Sequence, residues 1–266
     1  MSLAYAAELI RAGRLVAFPT ETVYGLGANA LDAAAVERIF AAKRRPHSSP
    51  LIVHVDGIEM ARKLALRWPE SAEKLARIYW PGPLTLVVPK RPEIPDVVTA
   101  GLATVGLRMP AHPLAIGLIR AAGVPIAGPS ANRFSELSPT VAAHIPETLA
   151  DYVLDGGPAR VGIESTVLSL VDAPLLLRPG VIPLPEIEAA IGPIAVAGSR
   201  PGDRMHRPEC TAATIAPRRR CSCSTRATRN PKAAGRGCAS AAKCPPIPAN
   251  MRRHCTTRCT GLTQRD

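Results

Sequence analysis

Leu15-Val16-Ala17-Phe18-Pro19-Thr20-Glu21-Thr22-Val23-Tyr24-Gly25-Leu26-Gly27-Ala28-Asn29-Ala30 is the stretch that decides the fold class. Its first four residues form an apolar run closed by a proline, which reads as a buried strand. Gly25, Gly27 and Ala30 then imitate the G-x-G-x-x-A fingerprint of dinucleotide-binding folds. That fingerprint needs its first glycine at the turn leaving the strand, where backbone can approach a pyrophosphate. Here Pro19 to Tyr24 intervene, so the stretch reads instead as a polar loop with two turn glycines. It is either plain connecting chain or a substrate loop whose Thr hydroxyls touch a small polar ligand. No G-x-x-x-x-G-K-[S/T] phosphate loop occurs anywhere in the chain.

Outward from this stretch, strands alternate with helices. Residues 3–11 have apolar positions at helical spacing and end at Gly13. Asp32 caps a helix predicted through Ala41, with Val36, Ile39 and Phe40 on one face. Further helices are expected at 57–67, 70–79, 113–122 and 186–191, the third opening with Pro113 and followed by Gly123. Strands are expected at 51–55, 84–88, 104–109, 124–127, 152–154, 165–171 and 175–177. Many of these strands are apolar without alternation, which argues an α/β domain with a largely buried sheet.

Charge divides the chain in two. The whole carries 33 Lys+Arg and 21 Asp+Glu, a net charge of +12. A basic excess of that size ordinarily indicates an anionic partner such as nucleic acid. Residues 1–198, however, hold 18 basic and 18 acidic residues, and residues 199–266 hold 15 and 3. All seven Cys lie in the second part and all nine aromatics in the first. The expected organisation is therefore a folded α/β domain at 1–198 and a disordered Arg/Cys/Pro-rich tail at 199–266, too poor in apolar periodicity to offset chain entropy. The first part has no Cys, no secretory leader pattern and no apolar run long enough to span a membrane, which makes a cytoplasmic protein the expectation. Cys221-Ser222-Cys223 and His254-Cys255 with Cys259 lack paired metal-ligand spacing.

Several polar strings sit at strand ends, where α/β sheets bind ligands. Lys43-Arg44-Arg45-Pro46-His47-Ser48-Ser49-Pro50 is either a solvated basic helix end or a phosphate clamp, with Arg forking two oxygens and Lys acting as a point charge. Arg108, in the otherwise apolar Thr104–Met109 run, is either an edge charge or a cleft-facing carboxylate contact. Gly128-Pro129-Ser130-Ala131-Asn132 and Ser138-Pro139-Thr140 read as turns or as neutral hydrogen-bonding groups. His54 lies inside a strand, where a satisfied core histidine is the commoner case. Basic residues and hydroxyls on successive strand-end loops point to a nucleotide and phosphate site.

Taken together, nine strings occur in order: FPTETVYGLGANA from Phe18, KRRPHSSPLIVHV from Lys43, WPGPLTLV from Trp80, TAGLATVGLRMPAHP from Thr99, GPSAN from Gly128, SPT from Ser138, DGG from Asp155, GIESTV from Gly162 and LLRPG from Leu176. In this the chain resembles the YrdC-like family of threonylcarbamoyl-AMP synthases over nearly all of residues 1–182. The resemblance implies an open, twisted mixed sheet flanked by helices, with a deep positively lined groove. It implies a nucleotidyltransferase that joins ATP, L-threonine and bicarbonate into threonylcarbamoyl-AMP and releases pyrophosphate. Mg²⁺ would accompany the leaving group. A tRNA-modifying threonylcarbamoyl transferase complex would then pass the group to adenosine 37 of tRNA.

By the same resemblance, Thr22, His54, Arg108, Gly128 and Ser165 are L-threonine contacts. Lys43, Arg45, Ser49, Thr104, Ser130, Asn132, Ser138 and Arg178 are ATP contacts, with Lys43 and Arg45 in the catalytic role. Ser49 stands where the family commonly has Asn, and Gly128 where it commonly has Ala.

Longer members continue through a linker resembling SPGMxxxHYAP into a second domain. Here only fragments of that linker survive, in Ser199-Arg200-Pro201-Gly202-Asp203-Arg204-Met205-His206-Arg207, as expected either of a shift of reading frame near codon 199 or of a genuine basic tail in its place. Three other classes compete with the enzyme: a double-stranded RNA- or tRNA-binding translation factor, a carbamoyl-transfer maturation domain, and a zinc-binding regulator built on the Cys-rich tail. Amino-acid-dependent pyrophosphate release separates the first from the enzyme.

Overall fold

A computed structural model describes residues 2–198. The expectations placed on residues 199–266 lie outside the described residues.

Helix α1 (Leu3–Arg11) starts where the Ser2 hydroxyl accepts from the Tyr5 amide, 3.3 Å away. It buries Ala6, Ala7 and Ile10. Strand β1 (Val16–Phe18) pairs antiparallel with β2 (Gly25–Asn29), in the register Val16↔Gly27 and Phe18↔Gly25. This second strand corrects the reading of Gly25 and Gly27 as turn glycines. A Cβ on either would lie 2.9 Å from the Phe18 ring. The glycines leave room for a cross-strand aromatic to lie over bare backbone, a pairing invisible to a pattern search.

Helix α2 (Ala33–Lys43) is capped by Asp32, whose carboxylate accepts from Ala34 and Ala35. It runs two residues beyond the predicted end, to a left-handed Arg44 at φ 52°. There follow β3 (Ile52–His54), α3 (Ile58–Leu64), α4 (Glu70–Tyr79), β4 (Leu84–Pro89), a short α5 (Asp96–Thr99), β5 (Thr104–Arg108), α6 (Pro113–Ala122) and β6 (Ile126–Ala127). The chain continues through β7 (Tyr152–Val153), β8 (Thr166–Ser169), β9 (Leu175–Arg178), α7 (Leu184–Ile191) and β10 (Ala195–Val196). Pro113 and the left-handed Gly123 bound α6 as expected. Helix α5, β10 and a 3-10 turn at Ala142–His144 were not anticipated, because two to four residues are too few to show a period.

The strands form one mixed sheet in the order β10-β9-β8-β4-β5-β3-β6-β2-β1-β7. This is the α/β architecture of an open sheet flanked by helices. One face packs a large core that includes Val36, Ile39 and Phe40 of α2, Leu75 of α4, and Ala17, Val53, Leu84 and Leu107 from the strands. Each fully buried Leu or Ile side chain there contributes about 1.5–3 kcal/mol relative to exposure. On the opposite face, α1 and α6 cover Val16, Phe18 and Ile126. That cover ends at Phe18, whose ring meets His54 edge to face at 5.4 Å. Beyond it, the same face of β3, β5, β4 and β8 is left free to line a cavity.

Candidate active site

Alternation along a strand puts every second residue on one face. Ile52 and His54 of β3, Thr104, Gly106 and Arg108 of β5, Thr85 and Val87 of β4, and Val167 of β8 thereby make the floor of a cavity of about 400 Å³. Its walls come from Thr20, Thr22 and Val23, from Gly128 to Ser130, from Glu164 and Ser165, and from Arg45 and Arg178.

One end is built around Arg108. His54 and Arg108 are direct partners on adjacent parallel strands. Arg108 is 4 % exposed. Its Nη2 donates to Glu21 Oε1 at 2.8 Å and to Thr22 Oγ1 at 3.0 Å, and its Nε donates to the Gly82 carbonyl at 3.3 Å. Nη1 has no partner within the described residues and is left for a ligand. Burial pulls the Arg108 guanidinium below its ordinary pKa, and the charge and hydrogen bond of Glu21 oppose that. Glu21 Oε2 also accepts from the Ala111 amide at 2.9 Å, so this carboxylate ties the end of β5 to the loop after β1.

His54 is buried, and its Nδ1 finds no hydrogen-bond partner. Burial, then the nearby Arg108 charge, drives its pKa down to about 3. The ring is therefore neutral at physiological pH and offers an acceptor. A Cβ at Gly128 would come within 3.0 Å of that nitrogen. Thr20 Oγ1 shapes the neighbouring wall by donating to the Val23 carbonyl at 2.6 Å, with Thr22 Oγ1 at 2.9 Å.

The other end is cationic. Arg45 follows the left-handed Arg44 and is aimed by donation to the Ser49 carbonyl at 3.3 Å and the Pro50 carbonyl at 3.2 Å. Its guanidinium lies 5.7 Å from the centre of the Phe134 ring. Arg178, at the end of β9, donates to the Ser165 carbonyl at 3.1 and 3.0 Å and to Ser165 Oγ at 3.1 Å, and pairs with Glu164. Ser165 Oγ also meets Thr85 Oγ1 at 2.8 Å, which links the two ends along the floor.

Of the residues singled out from the sequence, Thr22, Arg45, His54, Thr104, Arg108, Gly128, Ser130, Ser165 and Arg178 line this one cavity. Lys43, Ser49, Asn132 and Ser138 are not among its lining residues. Lys43 is buried in the last turn of α2, and its ammonium donates to the carbonyls of Ser130 and Asn132. It thus clamps the loop that carries Ser130. Burial first, and Arg45 second, bring its pKa down to about 7. Asn132 closes its own turn, with Nδ2 donating at 2.8 Å to the carbonyls of Arg133 and Glu136. Ser49 acts through its carbonyl on Arg45. Ser138 precedes Pro139, whose carbonyl accepts from the Tyr24 amide at 2.9 Å. Sequence reasoning assigned no role to Glu21, Thr85 or Glu164, and reached Thr20 only as one of the hydroxyls of a candidate substrate loop. For Thr85, the signal available was a lone hydroxyl inside the apolar Leu84–Val88 run.

The Sua5–YciO–YrdC family model, described as telomere recombination, matches residues 8–180. The threonylcarbamoyl-AMP synthase of Pyrococcus abyssi is 55 % identical over 195 residues, covering 72 % of this chain and 57 % of its own length. That of Bacillus subtilis is 52 % identical, covering 73 % and 58 %. The chain thus spans somewhat over half the length of these relatives. A putative threonylcarbamoyl-AMP synthase of Mycobacterium tuberculosis is 40 % identical and matched over 69 % of this chain and 86 % of its own. Among solved structures, P. abyssi Sua5 complexed with L-threonine superposes with a TM-score of 0.72 at 50 % identity, covering 80 % of this chain and 63 % of that one. On the match of fold, ordered motifs and family model, the chain belongs to the Sua5–YciO–YrdC family.

Proposed function

We propose that this chain is an L-threonylcarbamoyladenylate synthase, joining ATP, L-threonine and bicarbonate into threonylcarbamoyl-AMP with release of pyrophosphate. The observation that carries the reading is one cavity with two differently built ends. At one end an anchored arginine with a free Nη1 sits beside a neutral His54 acceptor. At the other stand Arg45 and Arg178. The relationship to P. abyssi Sua5, solved with L-threonine, supports L-threonine as a ligand, and the unpartnered Nη1 of Arg108 is our reason for assigning its carboxylate to that end.

In this reading Arg108 Nη1 receives the threonine carboxylate, and Thr22, His54, the Gly128 backbone and Ser165 surround the rest of the amino acid. Arg45, Thr104, Ser130 and Arg178 face the nucleotide. Lys43, Ser49, Asn132 and Ser138 contribute from behind that wall, Lys43 by fixing the Ser130 loop and by its charge. The amine attacks the bicarbonate carbon, and loss of water leaves a carbamate. A carbamate oxygen then attacks the α-phosphorus in line, and the bond to pyrophosphate breaks. Several anions must be brought together, so positioning and fixed positive charge are the protein's main tools.

Mg²⁺ belongs with the nucleotide. Among the described residues no group of three or more His, Cys, Asp or Glu is placed to hold a metal ion. The carboxylate that lines the cavity, Glu164, is engaged by Arg178. Among the described residues the cavity lining makes no protein-held metal site, and in this reading the ion enters as part of MgATP.

The product would go to a threonylcarbamoyl transferase complex acting on tRNA, in the cytoplasm. No helix of the described residues is long and apolar enough to cross a membrane. A purely RNA-binding role gains nothing from a domain with 18 basic and 18 acidic residues. The test is pyrophosphate release by the purified full chain, with ATP, L-threonine and bicarbonate each omitted in turn. Release that needs all three supports the synthase. Release that ignores L-threonine, or failure to bind either ATP or L-threonine, removes it.

A further inference from the structure

Glu21 is a carboxylate placed where an anion-binding site should least want one. It is 4 % exposed, and it contacts the arginine meant to receive a substrate carboxylate. By charge alone it weakens the site, because it cancels the Arg108 cation in a poorly solvated setting. Its geometry supplies a different reason for its presence.

A guanidinium on a long stem can offer any of its edges. Here Nε is bound to Gly82, and Nη2 is bound to Glu21 and Thr22 together. Glu21 is itself fixed, with Oε2 on the Ala111 amide at 2.9 Å. The carbonyls of Glu21 and Thr22 accept from the Val161 and Gly162 amides, each at 3.0 Å, so the supporting strand of chain is held from both sides. Two edges of the arginine are thereby consumed, and one is presented.

We propose that Glu21 is a positioning residue for amino-acid recognition: it holds Arg108 by Nη2 so that only Nη1 faces the cavity. The assignment rests on the reading of Arg108 as the carboxylate contact. It also gives the pair a selective character. With its charge largely cancelled, Arg108 recognises a carboxylate by direction more than by net attraction, and the denser charge of a polyphosphate is left chiefly to Arg45, for which no ion pair is formed among the described residues, whereas Arg178 is paired with Glu164.

The decisive variant is Glu21→Gln, which keeps shape but replaces one of two acceptor oxygens by a donor. Either Arg108 or the Ala111 amide then lacks its partner. Affinities for L-threonine, L-threoninamide and ATP are measured on the full chain by calorimetry, beside a thermal melt. The expected result is an L-threonine Kd raised at least about tenfold, the scale of a misplaced contact, with the ATP Kd unchanged. The preference for L-threonine over L-threoninamide falls towards one. A merely structural role would lower the melting temperature and leave that preference intact, which would overturn the assignment.

The double variant Arg108→Gln/Glu21→Gln is compared with Arg108→Gln alone, since effects transmitted through one residue are not additive. Equal L-threonine affinity in the two supports action through Arg108, and weaker binding in the double overturns it. If Glu21→Gln fails to fold, Glu21→Asp takes its place: it keeps the charge and both oxygens but draws them back by one methylene, and an unchanged L-threonine Kd there overturns the assignment. A wild type that binds no L-threonine overturns the functional reading and this assignment with it. A wild type and a Glu21→Gln that bind it equally well overturn the assignment alone.

Discussion

Arg108 and His54 meet across two parallel strands, yet they reach the cavity in opposite electrostatic states. Arg108 stays protonated, with Glu21 opposing the cost of its burial, whereas His54 loses its proton to burial and to Arg108. Arg108→Gln is expected to cut pyrophosphate release about 10²–10³-fold, the scale for one preorganised donor. The loss should appear in L-threonine binding with ATP binding spared; a variant of near wild-type activity would remove Arg108 from the reaction. His54 makes a prediction about stability. Its folded pKa of about 3 lies below the ordinary 6.5, so the unfolded chain takes up the proton first. The contribution is fully present above pH 6.5 and is lost as pH falls from there towards 3, by at most about 1.4 kcal/mol per pH unit. Urea titrations at pH 7, 5.5 and 4.5 should show wild type losing stability more steeply than His54→Gln. Parallel curves would mean that the histidine is not held neutral.

The loops that carry the site are fixed by the elements beneath them. Gly180 lies under the turn that opens β8: a Cβ there would stand 2.4 Å from the Thr166 nitrogen and 2.6 Å from the Glu164 carbonyl oxygen. Both are backbone, so neither can swing aside. Gly180→Ala should displace residues 164–166, cost about 1–3 kcal/mol by overpacking, and weaken ATP binding through loss of the Ser165–Arg178 contact. Unchanged urea midpoint and ATP affinity would contradict this. Elements of ten or so residues were legible from their caps and period, as α6 shows between Pro113 and Gly123. Strand β2 was not, since its reason for being a strand is a Phe18 ring from a neighbour. The site was legible in the same uneven way. Motif strings brought Arg45, Arg108, Ser130 and Arg178 to one cavity, but they could not show that Lys43 turns away to grip a loop. Nor could they show that Glu21 turns inward, because the partners of both lie some 90 residues away.

At the scale of the domain, the cavity exists because α1 and α6 cover one sheet face only as far as Phe18 and Ile126. Its floor is strand and its walls are loop, and amide hydrogen exchange should separate the two. Residues 52–54, 84–88 and 104–108 should exchange near the global unfolding limit. Residues 20–24 and 128–136 should exchange faster, and should slow when ATP and L-threonine are added. Protection that grows equally in floor and walls would indicate closure of the whole domain instead. The order of the sheet has a consequence for synthesis as well. Strand β8 pairs with β4, some eighty residues earlier, and brings Ser165 and Val167 to the floor. A ribosome therefore releases β3, β4 and β5 well before the strand that completes the pocket. The nascent chain can gain no help from its substrates in folding until the segment through Arg178 has emerged.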